Sequence, residues 1–251
     1  MIEPLLLACT RVSTFNGERL LTAASGFLFE RGARLFFVTN RHVLIDPPNG
    51  HHPDRIDLAV HTDAVDLTRF AVVSVPLYAD GKGRWRQAED SGGDVDVAAI
   101  ELDRAALPKS VVVRAFTLDH LQGPLDEIGI GTPLLVVGFP LGFYDTVHNL
   151  PVARQAAVAS AFGVRFREKG YFLTDARTHR GTSGAPVVMR DAGGDPKLPR
   201  KLLGIHAARI DMRTREEGVD ESLGLNSAWY ADILRTLTED AKPAAAPAPR
   251  R

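Results

Sequence analysis

Short apolar runs rich in β-branched or aromatic residues recur along the chain, with polar or Gly/Pro punctuation between them. Such runs are "ASGFLFERGARLFFVTN", "IDLAVHT", "RFAVVSVPLYA", "VDVAAIEL", "TPLLVVGFP", "VARQAAVASAFG", "YFLTDA", "APVVMR" and "KLLGIHAARI". Runs of this length at this spacing predict strands, and many short strands without long helical periodicity predict an all-β barrel or sandwich. "FLFERGARLFFVT" reads as a hairpin turning at Gly32. One stretch has helical spacing: in "NSAWYADILRTLTED", Trp229, Ile233 and Leu237 share a face at four-residue intervals, which predicts a C-terminal helix. Two polar stretches read as loops, 79–94 and 117–133. The second has the composition of a connection between two halves. The expected organisation is a first β-barrel over 1–116, a linker over 117–133, a second barrel with the terminal helix over 134–240, and a disordered Ala/Pro tail over 241–251.

Composition narrows the function classes. The 251 residues are 45% hydrophobic and 24% charged, enough for one large core or two small ones. A net charge of -1 with interspersed signs removes the electrostatic case for a general nucleic-acid binder. No apolar run approaches the ~18 residues of a membrane span, so no membrane partner is expected. The single cysteine, Cys9, cannot form an intramolecular disulfide and is expected on or just before a first strand. A lipoprotein-like reading of "LLLACT" fails on the acid and proline before it, and a cytoplasmic location is expected.

The chemistry centres on "RTHRGTSGAPVV", residues 177–188. As a nucleophile, Ser183 requires a general base and backbone N–H donors aimed at the oxygen that becomes negative. Gly181 and Gly184 allow the tight turn that could supply those donors, from the N–H groups of Gly181 and Ser183. Of eight histidines, His42 alone directly follows an apolar strand, "RLFFVTN", whereas His51 and His52 lie in a Pro/Gly loop, where they are expected to be solvated, and His61 lies among polar residues. A carboxylate that orients the imidazole would complete the set. Asp96, at the mouth of "DVAAIEL", is the first candidate and Asp94, two residues earlier, competes with it.

The blocks "SGFLFERGARLFFVTNRHVL", "DVAAIEL", "GFPLG" and "TDARTHRGTSGAPVV", followed by "LLGIHA", resemble the trypsin-like serine peptidases of the chymotrypsin fold. The resemblance is nearest to HtrA-type and related bacterial peptidase domains, and covers roughly residues 20–210. It implies two six-stranded antiparallel Greek-key β-barrels with a cleft between them. It also implies His42 as base and then acid, Asp96 as its orienting partner, Ser183 as acyl-forming nucleophile, and Gly181 with Ser183 as oxyanion hole. Thr182 and Ala185 depart from the commoner residues of that motif but are small, so the turn is expected to survive. The chain end is expected to leave no room for a PDZ domain.

By the same resemblance, Arg177, Thr178, His206 and Arg209 occupy the specificity-pocket positions. His206 and Thr178 resemble the pair with which glutamyl endopeptidases hold an acidic side chain, since both can donate hydrogen bonds to a carboxylate. Cleavage after Glu or Asp is the first expectation and a small apolar preference the second. The expected function is therefore a serine endopeptidase that needs no cofactor or metal and acts on protein or peptide substrates, with one dedicated partner protein as the architectural guess. The alternative is a latent or inactive peptidase-fold scaffold, including a form in which a partner orders loop 79–94. A metal-binding reading of His51, His52 and Asp54 lacks a third ligand at usable spacing.

Overall fold

The computed structural model describes residues 2–123, 128–213 and 220–240. After a single helical turn, α1 (Pro4–Ala8), the chain runs through β1 (Cys9–Asn16), β2 (Arg19–Arg31) and β3 (Arg34–Thr39). The turn α2 (Arg41–Leu44) follows, then β4 (Arg55–His61) and β5 (Phe70–Pro76). Two miniature hairpins flank the two-residue β8 (Trp85–Arg86). They are β6 (Tyr78–Ala79) with β7 (Lys82–Gly83), and β9 (Glu89–Asp90) with β10 (Gly93–Asp94). Strand β11 (Ala98–Leu102) ends the front half. The back half holds β12 (Pro133–Gly138), β13 (Val152–Ala157), β14 (Tyr171–Thr174), β15 (Pro186–Arg190), β16 (Arg200–Arg213), β17 (Asp220–Tyr230) and α3 (Ile233–Leu237).

Apart from the two miniature hairpins, the strands among the described residues form two antiparallel sheets. The first has the order β5-β4-β1-β2-β3-β11-β8, in which β4 returns beside β1 as a Greek key requires. Its ends meet where Arg84 N–H donates to Leu77 C=O at 2.8 Å. The second sheet, β13-β12-β15-β16-β17-β14, closes through a bridge between Val158 and Thr174. The hairpin expected at Gly32 is present: Arg31 pairs with Arg34, and Gly32 takes the positive φ of 59° that the tight turn needs.

Alternation explains why several strands read as continuous apolar runs. Along β3, Leu35 and Phe37 enter the interior of the first sheet, whereas Phe36 and Val38 enter a second cluster. Strand β11 divides likewise, with Ala98 and Ile100 inside and Ala99 beneath the other face. In the back half Val187 and Leu203 fill the interior, while Val188, Leu202, Ile205 and Trp229 join the same shared cluster as Phe36 and Val38. Both faces of these strands are therefore buried, one in its own sheet and one against the other sheet.

Three expectations are corrected. The first sheet has seven strands, not six, because the polar stretch 79–94 contributes β8. Trp85, 2% exposed and paired opposite Ile100, anchors that stretch. The helix expected over 226–240 shrinks to α3. Trp229 instead lies in β17, opposite Ile205 and Tyr171, where sheet pairing on both sides overrides the helical spacing. His51 and His52 are half-buried rather than solvated, and His51 Nε2 hydrogen-bonds with Val43 C=O at 2.9 Å.

The segment joining the halves is stitched to both. Phe116 exchanges backbone hydrogen bonds with Leu28 and Glu30 of β2, and Leu121 bridges to Leu202 of β16. Residues 124–127 of that connection, and the tail 241–251, lie outside the described residues. Front-half arginines also grip the end of α3: Arg31 Nη1 donates to Arg235 C=O at 2.6 Å, and Arg34 Nη1 to Thr238 C=O at 3.3 Å. Arg86 Nη1 donates to Leu237 C=O at 3.5 Å. They satisfy carbonyls that a helix end leaves without intrahelical partners.

Candidate active site

His42 is carried by α2, the single turn that directly follows β3. Its backbone N–H donates to Asp96 Oδ1 at 2.9 Å and its Nδ1 meets Asp96 Oδ2 at 2.7 Å. An ionised carboxylate only accepts, so Nδ1 carries the proton and Nε2 presents its lone pair. Asn40, fully buried, donates its side-chain amide to Asp96 C=O at 2.7 Å and ties the two segments together. Asp94 belongs elsewhere: it sits on the hairpin β9–β10 and pairs with Arg41 at 3.6 Å. The bend between Asp94 and Asp96 breaks the shared face that strand alternation predicts.

Burial works against a charged His42 imidazole, but the hydrogen bond to Asp96 and the charges of Asp96 and Asp46 outweigh it. The imidazole is held above its ordinary range.

Ser183 lies on the turn after β14, and the turn is gripped from both halves of the molecule. Ser25 of β2 donates its N–H to Ser183 C=O at 2.9 Å, and Gly184 N–H donates to His206 C=O at 2.9 Å. Gly181 and Gly184 have φ of 89° and 85°, and a Cβ at Gly184 would stand 2.2 Å from Ser25 O. Only glycine fits there.

Two carbonyls in the turn are held by neighbours. Arg180 C=O accepts from Leu141 N–H at 2.6 Å, and Thr182 C=O accepts from Ala185 N–H at 2.9 Å. In a trans peptide the N–H points opposite its carbonyl. Gly181 N–H and Ser183 N–H are therefore turned away from these contacts, and neither has an acceptor among the described residues.

His42 and Ser183 line one cleft of about 400 Å³. Ser183 Oγ, however, donates to Ala207 C=O at 3.2 Å, and among the described residues no hydrogen bond joins it to His42. Among the described residues, the titratable groups lining the cleft are His42, His179, Arg180, His206 and Arg209, with no carboxylate.

The four residues expected at the specificity pocket separate. His206, Thr178 and Arg209 line the cleft, whereas Arg177 is exposed and does not. Thr178 turns inward, and alternation in the extended chain sends its neighbour Arg177 outward. The Thr178 hydroxyl donates to Asn226 Oδ1, while the Asn226 amide donates to the carbonyls of Ala176 and Thr174. Those two bonds fix which way the amide faces, so Thr178 offers the cleft an acceptor rather than the expected donor. His206 is 2% exposed, and its Nδ1 has no partner among the described residues.

The family described as "Trypsin-like peptidase domain" matches residues 24–194. The chain belongs to the trypsin-like peptidase family. Among curated relatives, the mitochondrial serine protease HTRA2 of Drosophila pseudoobscura pseudoobscura is 25% identical over 240 residues, covering 90% of this chain and 48% of that one. The corresponding protein of Drosophila willistoni is 25% identical, with 90% and 47% covered. The chain thus spans about half the length of the curated relatives it matches. Among solved structures, "HtrA-type protease AlgWS227A with tripeptide" superposes with a TM-score of 0.56 at 15% identity, covering 94% of this chain and 62% of that one. At that identity the likeness is one of fold. The trypsin-like peptidase family implies protein or peptide substrates. No helix among the described residues is long and apolar enough to cross a membrane, and no group of three His, Cys, Asp or Glu side chains gathers among them.

Several residues that shape the site carry little signal in the sequence. Asn40 is close to His42, but an asparagine after a strand reads as a turn. Ser25 and Arg180 act through contacts more than 100 and about 40 residues away in the chain, which no local pattern reveals.

Burial, and then repulsion from His42, lower His206 from 6.5 to about 4. The unfolded chain therefore takes up this proton first, and stability is lost as pH falls from 6.5 toward 4, by up to ~3 kcal/mol. The gap in urea-unfolding free energy between wild type and His206→Gln is expected to shift by about that amount against the wild type over this window. A gap that stays flat with pH rejects the buried, neutral imidazole.

Proposed function

We propose that this chain is a serine endopeptidase that cleaves peptide bonds through an acyl-enzyme formed on Ser183. The observation that carries the reading is the His42–Asp96 pair, its Nδ1 clamped at 2.7 Å and its Nε2 left as a base in the cleft that Ser183 shares. Residues 1–116 form the unit bearing His42 and Asp96, and 134–240 the unit bearing Ser183. In the first step Ser183 Oγ leaves Ala207 C=O by rotation about χ1, gives its proton to His42 Nε2 and attacks the scissile carbonyl. Asp96 stabilises the imidazolium. The N–H groups of Gly181 and Ser183 receive the negative oxygen. His42 then protonates the leaving amine, and water completes hydrolysis by the same route in reverse.

The preferred residue before the cut is Glu or Asp. Support comes from the cleft lining, which among the described residues has Arg180 at its exposed edge, His206 with an Nδ1 that no described residue engages, and no carboxylate. Thr178 contributes shape and an acceptor rather than a donor.

One observation favours a second reading, a latent form: the Ser183 hydroxyl rests on Ala207 C=O and not on His42. In that reading a partner protein shifts the hydroxyl to the base.

A fluorophosphonate probe tests both. Labelling of the wild type, abolished in Ser183→Ala, is expected, with a loss of kcat of about 10⁴-fold or more in that variant. Profiling on a peptide library is expected to place Glu or Asp before the cut. Unchanged proteolysis in Ser183→Ala ends the endopeptidase reading, and labelling only in the presence of a cell extract selects the latent one.

The pH profile supplies a further check. Activity requires neutral His42, so kcat/KM rises with pH through a value above 6.5. Asp96→Asn removes the larger of the two influences that raise that value, leaving Asp46 and the opposing burial. The acid limb is expected to move to lower pH and the maximal rate to drop by on the order of 10³–10⁴. A limb that moves upward contradicts the pairing.

A further inference from the structure

Ser25, in the middle of β2, belongs to the half of the molecule that carries His42, yet most of its polar contacts are with the half that carries Ser183. It is fully buried. Its N–H donates to Ser183 C=O at 2.9 Å. Its hydroxyl donates to Gly181 C=O at 2.7 Å and accepts from Phe139 N–H at 2.9 Å. Its carbonyl accepts from Thr39 Oγ1 at 2.8 Å. Every donor is used, and the hydroxyl serves in both directions at once.

The partners of that hydroxyl matter more than their number. Phe139 opens the turn 139–142, whose Leu141 N–H holds Arg180 C=O. Gly181 C=O lies on the other side of the same glycine. The peptide before Gly181 is thus fixed through Leu141 and the peptide after it by Ser25 directly. A glycine at φ 89° has no side chain to resist rotation of either peptide. Packing leaves the hydroxyl little freedom to do otherwise. A Cβ on Gly138 would come within 2.5 Å of Ser25 Oγ, and one on Gly181 within 2.6 Å of Phe139 O.

We infer that Ser25 is a positioning residue that sets the direction of the Gly181 N–H by locking the two turns on either side of it. The inference rests on the endopeptidase reading, in which that N–H receives the developing negative oxygen. Ser25 itself touches no substrate. It acts through the backbone, so its loss is expected to slow bond making without weakening peptide capture.

The test uses the full chain and two variants, Ser25→Ala and the shape-conserving Thr39→Val, which frees the Ser25 carbonyl. Acylation is timed by release of p-nitrophenol from p-nitrophenyl acetate, and labelling of the wild type is read with a fluorophosphonate probe. Capture is measured by anisotropy of fluorescein-labelled β-casein in a Ser183→Ala background, with and without each change. Ser25→Ala is expected to slow acylation by about 10- to 100-fold, somewhat less than removal of an oxyanion donor outright, while the casein Kd stays within about twofold, inside the factor that one lost neutral contact would exceed. Thr39→Val is expected to show the same split, more weakly, and decides the matter if Ser25→Ala does not fold. Unchanged acylation overturns the inference, and so does a parallel fall in acylation and casein affinity, which marks a merely structural role. A wild type that does not label defeats the endopeptidase reading and this inference with it, whereas a labelling wild type beside an unaffected variant defeats the inference alone.

Discussion

The arrangement of the cleft depends on one apolar seam, where each sheet buries its outer face against the other. Phe27, Phe29, Phe36, Val38 and Ala99 come from the front half, and Val188, Leu202, Ile205 and Trp229 from the back. Apolar burial stabilises by roughly 25 cal/mol per Å² without regard to direction. Burial alone would therefore hold the halves together without specifying how they are turned. Direction comes from the polar contacts at the edge of the seam, where β2 meets the nucleophile turn. The seam supplies adhesion, and a few backbone hydrogen bonds supply register.

How much of this was legible in the sequence depends on the range over which each residue acts. The hairpin at Gly32, the strand runs and the glycines of the 181–184 turn are local, and their patterns read directly. "LFFV" was readable as a buried strand, but not which two cores it divides between, because that requires knowing the opposite sheet. Trp229 illustrates the opposite failure. Its spacing to Ile233 and Leu237 is helical, yet pairing with both Ile205 and Tyr171 claims it for a strand. Similarly, "ADGKGRWRQAEDSGGD" has the composition of a loop, and only the burial of Trp85 makes it part of the sheet. His42, Asp96 and Ser183 were all singled out from the sequence, while the reason Asp94 does not share a face with Asp96, the bend between them, is visible only in the fold.

Within the cleft, charge is distributed unevenly. The Asp96 carboxylate is engaged behind His42, and the open surface carries imidazoles and guanidiniums. That lining is the ground for the proposed preference for anionic side chains, since unlike charges in a partly enclosed space attract more strongly than in bulk water. His206 stays neutral inside that surface because a charged ring there would be both desolvated and repelled by His42. The buried Cys9 thiol, pushed up by burial, stays protonated and takes no part.

The grip of Arg31, Arg34 and Arg86 on the carbonyls at the end of α3 has a consequence for biosynthesis. Polypeptides emerge from the ribosome amino end first, and domains generally fold as they emerge. Here the front-half strands present guanidiniums whose acceptors, near residues 235–239, are made 153 to 204 residues later. During translation the front half can curl on its own core, but the apolar face it will later share stays wet until the back half arrives. The nascent chain therefore passes through a stage with an exposed greasy surface, which is covered only once strands β15 to β17 and α3 have emerged.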